Sequence, residues 1–157
     1  MVGPLADKKQ LETVLSFIES GKKEATLLTG GNRVGTKGAF IEPTIFLNPS
    51  DDAKIYKQEI FGPVATIKTF KTEEEGVALA NNTSYGLSSI LFTSSISRAL
   101  RVTKQLEAGT VGVNTAFVPG VQVPFGGMKE SGMGREGGKE GLMSYLEAKT
   151  VAINMGV

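Results

Sequence analysis

The 157-residue sequence contains neither cysteine nor histidine. Without cysteine the chain has no disulfide and no thiolate nucleophile, and without histidine it has no imidazole to serve as a general base. Zinc, copper and iron sites lose their preferred ligands for the same reason. Chemistry in this chain must therefore use carboxylates, lysine, tyrosine or hydroxyl groups, or it must depend on residues supplied by another segment.

Aromatic residues and excess charge are also scarce, which narrows the expected partners. Aromatics make up 7% of the sequence, the formal net charge is +1, and basic residues form no cluster, so we expect no nucleic-acid partner. No apolar stretch approaches the roughly 18 residues of a membrane span, so we expect no membrane partner. The N-terminus lacks the features of a signal peptide, which predicts a cytoplasmic location, or the mitochondrial matrix if a targeting segment precedes Met1.

Hydrophobic periodicity predicts alternating helices and strands. Hydrophobic residues form 40% of the sequence, as in an ordinary globular domain, and Leu11, Val14 and Ile18 have helical spacing. Further elements are predicted as strands at 25–28, 40–46 and 64–70, a helix at 72–80, a strand at 87–92, a helix at 96–106, a strand at 109–113, a helix at 136–147 and a strand at 149–153. Pro43 would restrict its strand to a sheet edge or a bulge. The alternation predicts an α/β fold with a largely parallel sheet flanked by helices.

A glycine-rich stretch runs from Pro124 to Gly138, and six of its fifteen residues are glycine. Glycine loses the most backbone entropy on folding, so this density predicts turns with positive φ or backbone that passes close to another group. Gly132, Gly134 and Gly137 match the G-x-G-x-x-G dinucleotide fingerprint. That fingerprint requires a preceding strand and an acidic residue about 20 positions later, and the sequence predicts neither. A pyrophosphate loop is therefore rejected here.

Four motifs resemble those of NAD(P)-dependent aldehyde dehydrogenases. They are EIFGPV at 59–64, NNTSYGL at 81–87, AGTV followed by Asn114 at 108–114, and PFGGMKESG at 124–132 with GRE at 134–136. The motifs occur in the order and spacing of that family, and the resemblance covers essentially all 157 residues.

The resemblance implies that the chain corresponds to the C-terminal third or so of such an enzyme. Residues 1–147 would be the C-terminal part of a Rossmann-like catalytic domain, and 148–157 would be an oligomerisation strand. The family's cofactor domain, catalytic cysteine and general-base glutamate precede this region, so no residue here is assigned a catalytic or metal-binding role. The implied cofactor is NAD or NADP. The implied reaction oxidises an aldehyde to a carboxylic acid through a cysteine thioester, and this chain alone is expected to be inactive.

The resemblance assigns cofactor contacts to the first motif. Glu59 would bind the two hydroxyls of the nicotinamide ribose, for which a carboxylate offers two acceptor oxygens, and Phe61 would pack beside the nicotinamide. Gly62 and Pro63 would set the turn that aims Glu59. The alternatives are an exposed glutamate before a strand and a core phenylalanine.

Other residues would shape the substrate path. Phe125 would line the aldehyde tunnel, with a core phenylalanine as the alternative, and Pro119 would lie in the loop at the tunnel mouth. Asn114 would hold a loop by side-chain-to-backbone hydrogen bonds, and Gly126 and Gly127 would be structural loop positions. The segment 134–141 resembles the succinate-semialdehyde branch of the family. Pro119 stands where that branch has a serine, so the identity of the aldehyde substrate is left open.

The remaining expectations concern anchoring and assembly. Lys129 and Arg135 are predicted to anchor the loop or to be solvated rather than to act in catalysis. Val151 to Asn154 would pair with a sheet of a neighbouring subunit in a homo-oligomer, and alone it would be an unpaired edge. The alternative function is a non-catalytic, truncated interaction module that pairs with full-length subunits through this strand.

Overall fold

The chain is divided into two compact units, Met1–Thr72 and Glu73–Val157. The computed structural model describes residues 2–116 and 120–156. The sequence has no composition change that predicts this division. The assignment of 1–147 to a catalytic domain and of 148–157 to an oligomerisation strand stays a prediction.

The first unit combines one long helix, a short helix and a three-stranded sheet. Its elements are α1 (Lys8–Glu24), β1 (Thr26–Thr29), β2 (Thr44–Leu47), α2 (Lys54–Lys57) and β3 (Val64–Ile67). Strand β2 lies in the middle of the sheet, antiparallel to β1 and parallel to β3.

The core of the first unit forms where α1 meets β2. Helix α1 begins after Asp7, whose carboxylate accepts the amide hydrogen of Gln10 at 2.7 Å and caps the helix. The predicted apolar face is confirmed, since Val14 and Ile18 have no exposed surface, and neither does Phe46 on β2. The buried cluster consists of Leu11, Val14, Phe17, Ile18, Ala39, Ile41, Phe46, Ala53, Ile55 and Ile60.

The second unit contains three helices and two separate two-stranded sheets in its described residues, 73–116 and 120–156. Its elements are α3 (Glu73–Asn81), β4 (Tyr85–Gly86), β5 (Ser88–Leu91), α4 (Ile96–Thr103), β6 (Thr110–Val113), β7 (Met128–Lys129) and α5 (Gly138–Met143). Strands β5 and β6 are parallel and are joined through α4, whereas β4 and β7 are antiparallel. In the described residues no helix combines the length and the apolar character needed to cross a bilayer.

The α/β class predicted from the sequence is confirmed, with parallel strand pairs in both units. The expectation that Pro43 would place its strand at a sheet edge was wrong, because the strand begins after the proline, at Thr44, and lies in the middle of its sheet. The pairing of this strand with β1 does contain a register shift, between Leu27 and Thr29. The strand expected at 149–153 is also absent, since the described residues 144–156 form no ladder with any strand of this chain. Pairing of this segment with another subunit stays a prediction.

Candidate functional site

The loop between α2 and β3 alternates exposed and buried side chains. Glu59 is exposed, Ile60 is 8% exposed and belongs to the core, and Phe61 is 74% exposed. The buried isoleucine anchors the loop, while its two neighbours are presented to the outside. Phe61 also adopts a left-handed backbone conformation, with φ of 56°, which is uncommon for a bulky residue and requires support from its surroundings.

Helix α1 provides part of that support through Gln10. Its side-chain amide donates to the carbonyl oxygens of Ile60 at 3.2 Å and Phe61 at 3.0 Å. On the other side of the loop, the amide of Thr44 donates to the carbonyl of Pro63 at 2.9 Å. The loop is therefore fixed to a helix at one end and to the sheet at the other.

Gly62 lies directly against the buried face of α1. A Cβ atom added at Gly62 would lie 2.7 Å from Cγ2 of Val14. Val14 has no exposed surface and a branched side chain with few rotamers. The close approach explains why glycine occupies this position, and it brings the loop against the helix that holds it.

A cleft of about 330 Å³ lies beside this loop, with Ile55, Gln58, Glu59, Phe61 and Thr66 among its lining residues. The volume is at the lower end of the roughly 300–1,000 Å³ range of ligand pockets. It suits one part of a larger ligand rather than a whole dinucleotide. An exposed carboxylate can accept hydrogen bonds from a pair of hydroxyls, and an exposed ring can contact a planar group. The residues present therefore fit a ribose and its attached ring.

The second unit contains the remaining predicted positions. Phe125 is partly buried and exchanges two backbone hydrogen bonds with Glu136, both 2.7 Å long, as an isolated antiparallel bridge. The backbone of the next residue, Gly126, passes very close to the backbone of Gly109. A Cβ atom at Gly109 would lie 1.7 Å from the Gly126 carbonyl oxygen, so no side chain fits there. Gly127 is buried.

Two cations hold the glycine-rich segment by contacts of the kind predicted for them. The ammonium of Lys129 donates to the carbonyl oxygens of Asn81 at 2.9 Å and Thr83 at 3.1 Å. It also forms an ion pair of 2.5 Å with Glu107. The guanidinium of Arg135 donates to the backbone carbonyls of residues 127 and 134, at 2.8 and 2.6 Å. The segment is therefore tied to the end of α3 and folded onto itself.

Asn114 ends strand β6 in a left-handed conformation, with φ of 57°. Its side-chain oxygen accepts from the amide of Thr93 at 2.8 Å, and its side-chain nitrogen donates to the carbonyl of the same residue at 2.8 Å. The two bonds join the loop after β5 to the end of β6. Pro119 lies outside the described residues.

The structure thus brings together Glu59, Phe61, Gly62 and Pro63 in the first unit, while Asn114 and the 125–127 positions belong to the second. Sequence reasoning missed Gln10, which lies one helical turn before Val14 and about 50 positions from the loop it holds. The only signal was its i, i+4 spacing from a predicted core residue. It also missed Ser131, whose hydroxyl accepts the amide hydrogen of Gly86 at 2.9 Å.

Ion pairs elsewhere stabilise local structure. The hydrogen bond from Lys68 lowers the pKa of Asp51 below its usual value of 3.8. The hydrogen bond from Arg101 lowers the pKa of Glu73 below 4.5, against a smaller opposing effect of desolvation. In each pair one partner is exposed, Asp51 in the first and the two arginines in the second, whereas Lys68 and Glu73 are partly buried. Solvent screening at the exposed partner keeps the contribution of each pair to stability small.

Comparisons with known proteins agree with the arrangement of the motifs. Residues 1–151 match the aldehyde dehydrogenase family. An aldehyde dehydrogenase of Alternaria alternata is 50% identical over 155 residues, covering 98% of this chain and 31% of the relative. Aldehyde dehydrogenase 1A1 of Gallus gallus is 52% identical over 154 residues, covering 98% of this chain and 30% of the relative.

Solved structures give the same result. The structure of an aldehyde dehydrogenase from Bacillus cereus in complex with NAD+ matches with a TM-score of 0.92 and 46% identity, over 98% of this chain and 32% of that one. A betaine aldehyde dehydrogenase mutant from Staphylococcus aureus, also with NAD+, matches with a TM-score of 0.90 and 39% identity, over 95% and 31%. The chain spans about a third of the length of these relatives. By sequence and by structure, the chain belongs to the aldehyde dehydrogenase family.

Proposed function

We propose that this chain acts as the C-terminal part of an NAD(P)-dependent aldehyde dehydrogenase and supplies the contacts to the nicotinamide half of the cofactor. The observation that carries the proposal is the 59–61 loop, in which an exposed carboxylate and an exposed ring flank a buried anchor beside a cleft. The NAD+ complexes of the Bacillus cereus and Staphylococcus aureus relatives support the choice of ligand.

The proposed contacts follow from the chemistry of the two side chains. The two oxygens of Glu59 accept hydrogen bonds from the two hydroxyls of a ribose. The ring of Phe61 packs against the attached nicotinamide and limits its rotation. Gln10 and Gly62 hold the loop against α1, so the backbone that presents both side chains is fixed before the cofactor binds.

A bound nicotinamide cofactor would supply the hydride acceptor for the oxidation. The residues of this chain bind and orient it, and they contribute no nucleophile because the chain has no cysteine. Phe125 and the glycine-rich segment form part of the wall around the aldehyde. The aldehyde is therefore oxidised only when the remainder of a family member is present.

The C-terminal segment is proposed to pair with another subunit. Val151, Ile153 and Met155 are 70, 75 and 83% exposed, and their period-two spacing is that of a strand with one apolar face. Such a segment is consistent with a homo-oligomeric enzyme. It is equally consistent with the alternative, a non-catalytic module that joins full-length subunits. A cytoplasmic location stays a prediction.

A chimera tests the cofactor contacts. The C-terminal third of the Bacillus cereus enzyme is replaced by this chain, and Glu59→Gln is compared with the control Glu12→Gln, which removes an exposed carboxylate from α1. Aldehyde-dependent NADH production gives the KM for NAD+, and fluorescence titration gives the NADH affinity without turnover. A hydrogen bond to a charged group is worth about 1.5–3 kcal/mol, so Glu59→Gln is expected to weaken cofactor binding by about tenfold or more.

Equal cofactor affinity in the two variants of an active chimera would remove Glu59 from the proposed site. An inactive chimera, together with capture of the unmodified chain by the full-length enzyme in mixed oligomers, would favour the interaction module.

A further inference from the structure

The glycine-rich segment packs its backbone directly against neighbouring backbone. A Cβ atom at Gly109 would lie 1.7 Å from the carbonyl oxygen of Gly126, and one at Gly127 would lie 2.6 Å from the carbonyl oxygen of Ser131. Packing this close leaves no space for independent movement, so a displacement of one segment is passed to the next. The position of Phe125, which directly precedes these contacts, therefore depends on how the surrounding chain is held.

The turn formed by residues 128–131 follows at once and lies against the chain around β4. Strand β7, within this turn, pairs with β4 over only two residues. The amide of Glu130 donates to the carbonyl of Ser84 at 3.0 Å, and the hydroxyl of Ser131 accepts the amide hydrogen of Gly86 at 2.9 Å. A two-stranded pairing this short is marginal by itself. The position of the 128–131 turn therefore requires support from side chains.

Lys129 provides that support from within the turn. Its ammonium donates to the carbonyl oxygens of Asn81 and Thr83 and is paired with the carboxylate of Glu107, so each of its three hydrogens has an acceptor. The lysine side chain is 26% exposed. Its backbone is left-handed, with φ of 55°, a conformation that persists in a residue other than glycine only when surrounding contacts hold it. Lys129 is therefore fixed both at its backbone and at its ammonium.

The acceptors of this ammonium are themselves joined to one another. The side chain of Asn81 donates to the carbonyl of Gln105 at 2.8 Å and accepts the amide hydrogen of Glu107 at 2.9 Å. The end of α3 is therefore tied to the segment that leads into β6, and that segment contains Gly109, against which the glycine-rich backbone packs. One ammonium thus connects the 128–131 turn to the chain that fixes the position of the glycine-rich segment.

We propose that Lys129 is a positioning residue for the aldehyde: by holding the 128–131 turn on the end of α3, it sets where the ring of Phe125 stands relative to the substrate. The inference rests on the proposed function, which places Phe125 in the wall around the aldehyde. Because three oxygen atoms engage the ammonium, Lys129 acts through the backbone and not as an acid or base. A misplacement of about 1 Å can cost a hundredfold in rate. A loosened turn therefore impairs discrimination between aldehydes and leaves the cofactor contacts of the 59–61 loop unchanged.

The chimera with the Bacillus cereus enzyme tests the proposal. The measured quantity is the aldehyde preference, the ratio of kcat/KM between the best and the poorest substrate in a series of straight-chain aldehydes at saturating NAD+. Lys129→Met is expected to reduce this preference at least about fivefold, while the NADH affinity from fluorescence titration stays the same. Lys129→Arg, whose guanidinium can donate to the same carbonyls, is expected to restore most of the preference. The control Lys139→Met, at an exposed lysine of α5, leaves it unchanged.

A double-mutant cycle shows whether Lys129 acts through Phe125. In a Phe125→Ala background the ring to be positioned is absent, so Lys129→Met is expected to change the preference less than about twofold. An equal reduction in both backgrounds, or an unchanged preference in Lys129→Met alone, would overturn the positioning role and leave the proposed function standing. An unchanged preference in Phe125→Ala alone would remove Phe125 from the aldehyde wall, and with it both this inference and that part of the proposed function.

Glu107→Gln provides the comparison if Lys129→Met does not fold. It removes the charge that faces the ammonium and leaves both carbonyl contacts of Lys129 in place. A charge-assisted contact is roughly twice as strong as a neutral one, so this variant is expected to reduce the preference about twofold, and only when Phe125 is present. A preference equal to that of the original chimera would contradict the role of Lys129.

Discussion

Gln10 on the first helix holds the carbonyl oxygen of Phe61 at 3.0 Å, across about 50 positions of sequence. The same amide group also donates to Ile60. One side chain therefore supports the left-handed backbone at which the exposed ring is presented.

Gln10→Ala is expected to destabilise the chain by about 0.5–1.5 kcal/mol, because the two carbonyls lose their donor. Urea unfolding followed by circular dichroism measures the free energy. Faster amide exchange at residues 60–62 in the same variant would locate the effect in the loop. Gln105→Ala, at an exposed glutamine of the second unit, is the control, and equal stability of the two variants would contradict the supporting role.

Gly62→Ala is expected to destabilise the chain by about 1–3 kcal/mol, because its methyl group would lie 2.7 Å from the buried and inflexible side chain of Val14. Gly3→Ala is the matched control, since a Cβ atom there meets no atom within 4 Å. Urea midpoints of the two variants give the comparison.

A second substitution separates the steric effect from backbone stiffening. Val14→Ala in the Gly62→Ala background removes the clash, so the double variant is expected to lose less than the sum of the single losses. Strict additivity would show that Val14 does not limit the size of residue 62.

The local parts of this fold could be predicted from the sequence. The spacing of Leu11, Val14 and Ile18 predicted α1, and alternation predicted β3, because both patterns repeat within a few residues. The sequence could not predict that the strand begins after Pro43 instead of including it. Only the pairing of β2 with both β1 and β3 shows that this strand lies between two neighbours. The segment 149–153 has strand periodicity, but a strand requires a pairing partner, which residues 2–116 and 120–156 do not supply.

The sequence predicted the residues of the site only because they form a recognisable motif. The EIFGPV segment directed attention to Glu59 and Phe61 through its resemblance to a family. The contacts that hold it come from Gln10 and Val14, which are distant in sequence and carry no motif. Long-range packing of this kind depends on the tertiary structure, so the chain pattern alone did not indicate it.

Lys129→Met is expected to destabilise the second unit by about 1 kcal/mol, after allowance for solvent screening of a partly exposed ion pair. The substitution removes the donor to Asn81 and Thr83 and the partner of Glu107. Thermal unfolding of the chimera with the Bacillus cereus enzyme measures the loss. Lys139→Met, at an exposed lysine of α5, is the control, and a loss of equal size there would assign the effect to charge alone.

The ion pair between Asp51 and Lys68 is expected to make the stability of the first unit depend on pH. The hydrogen bond and charge of Lys68 lower the pKa of Asp51 below 3.8, and Lys68 also lies 4.6 Å from the ring centre of Tyr56. A carboxyl with a lowered folded-state pKa contributes stability above its unfolded-state pKa, and that contribution is lost as pH falls through the lowered value. Its contribution is therefore complete at pH 5 and above, roughly, and declines below about pH 4.

Asp51→Asn abolishes this titration, so the difference in urea midpoint between the original chain and the variant is expected to be constant from about pH 7 to pH 5 and to shrink below about pH 4. Asp52→Asn is the matched control, because the neighbouring carboxyl is exposed in the same turn. A midpoint difference for Asp51→Asn that grows on acidification would reverse the sign of the linkage. Such a result would mean that Lys68 does not stabilise the charged form of Asp51 in the folded chain.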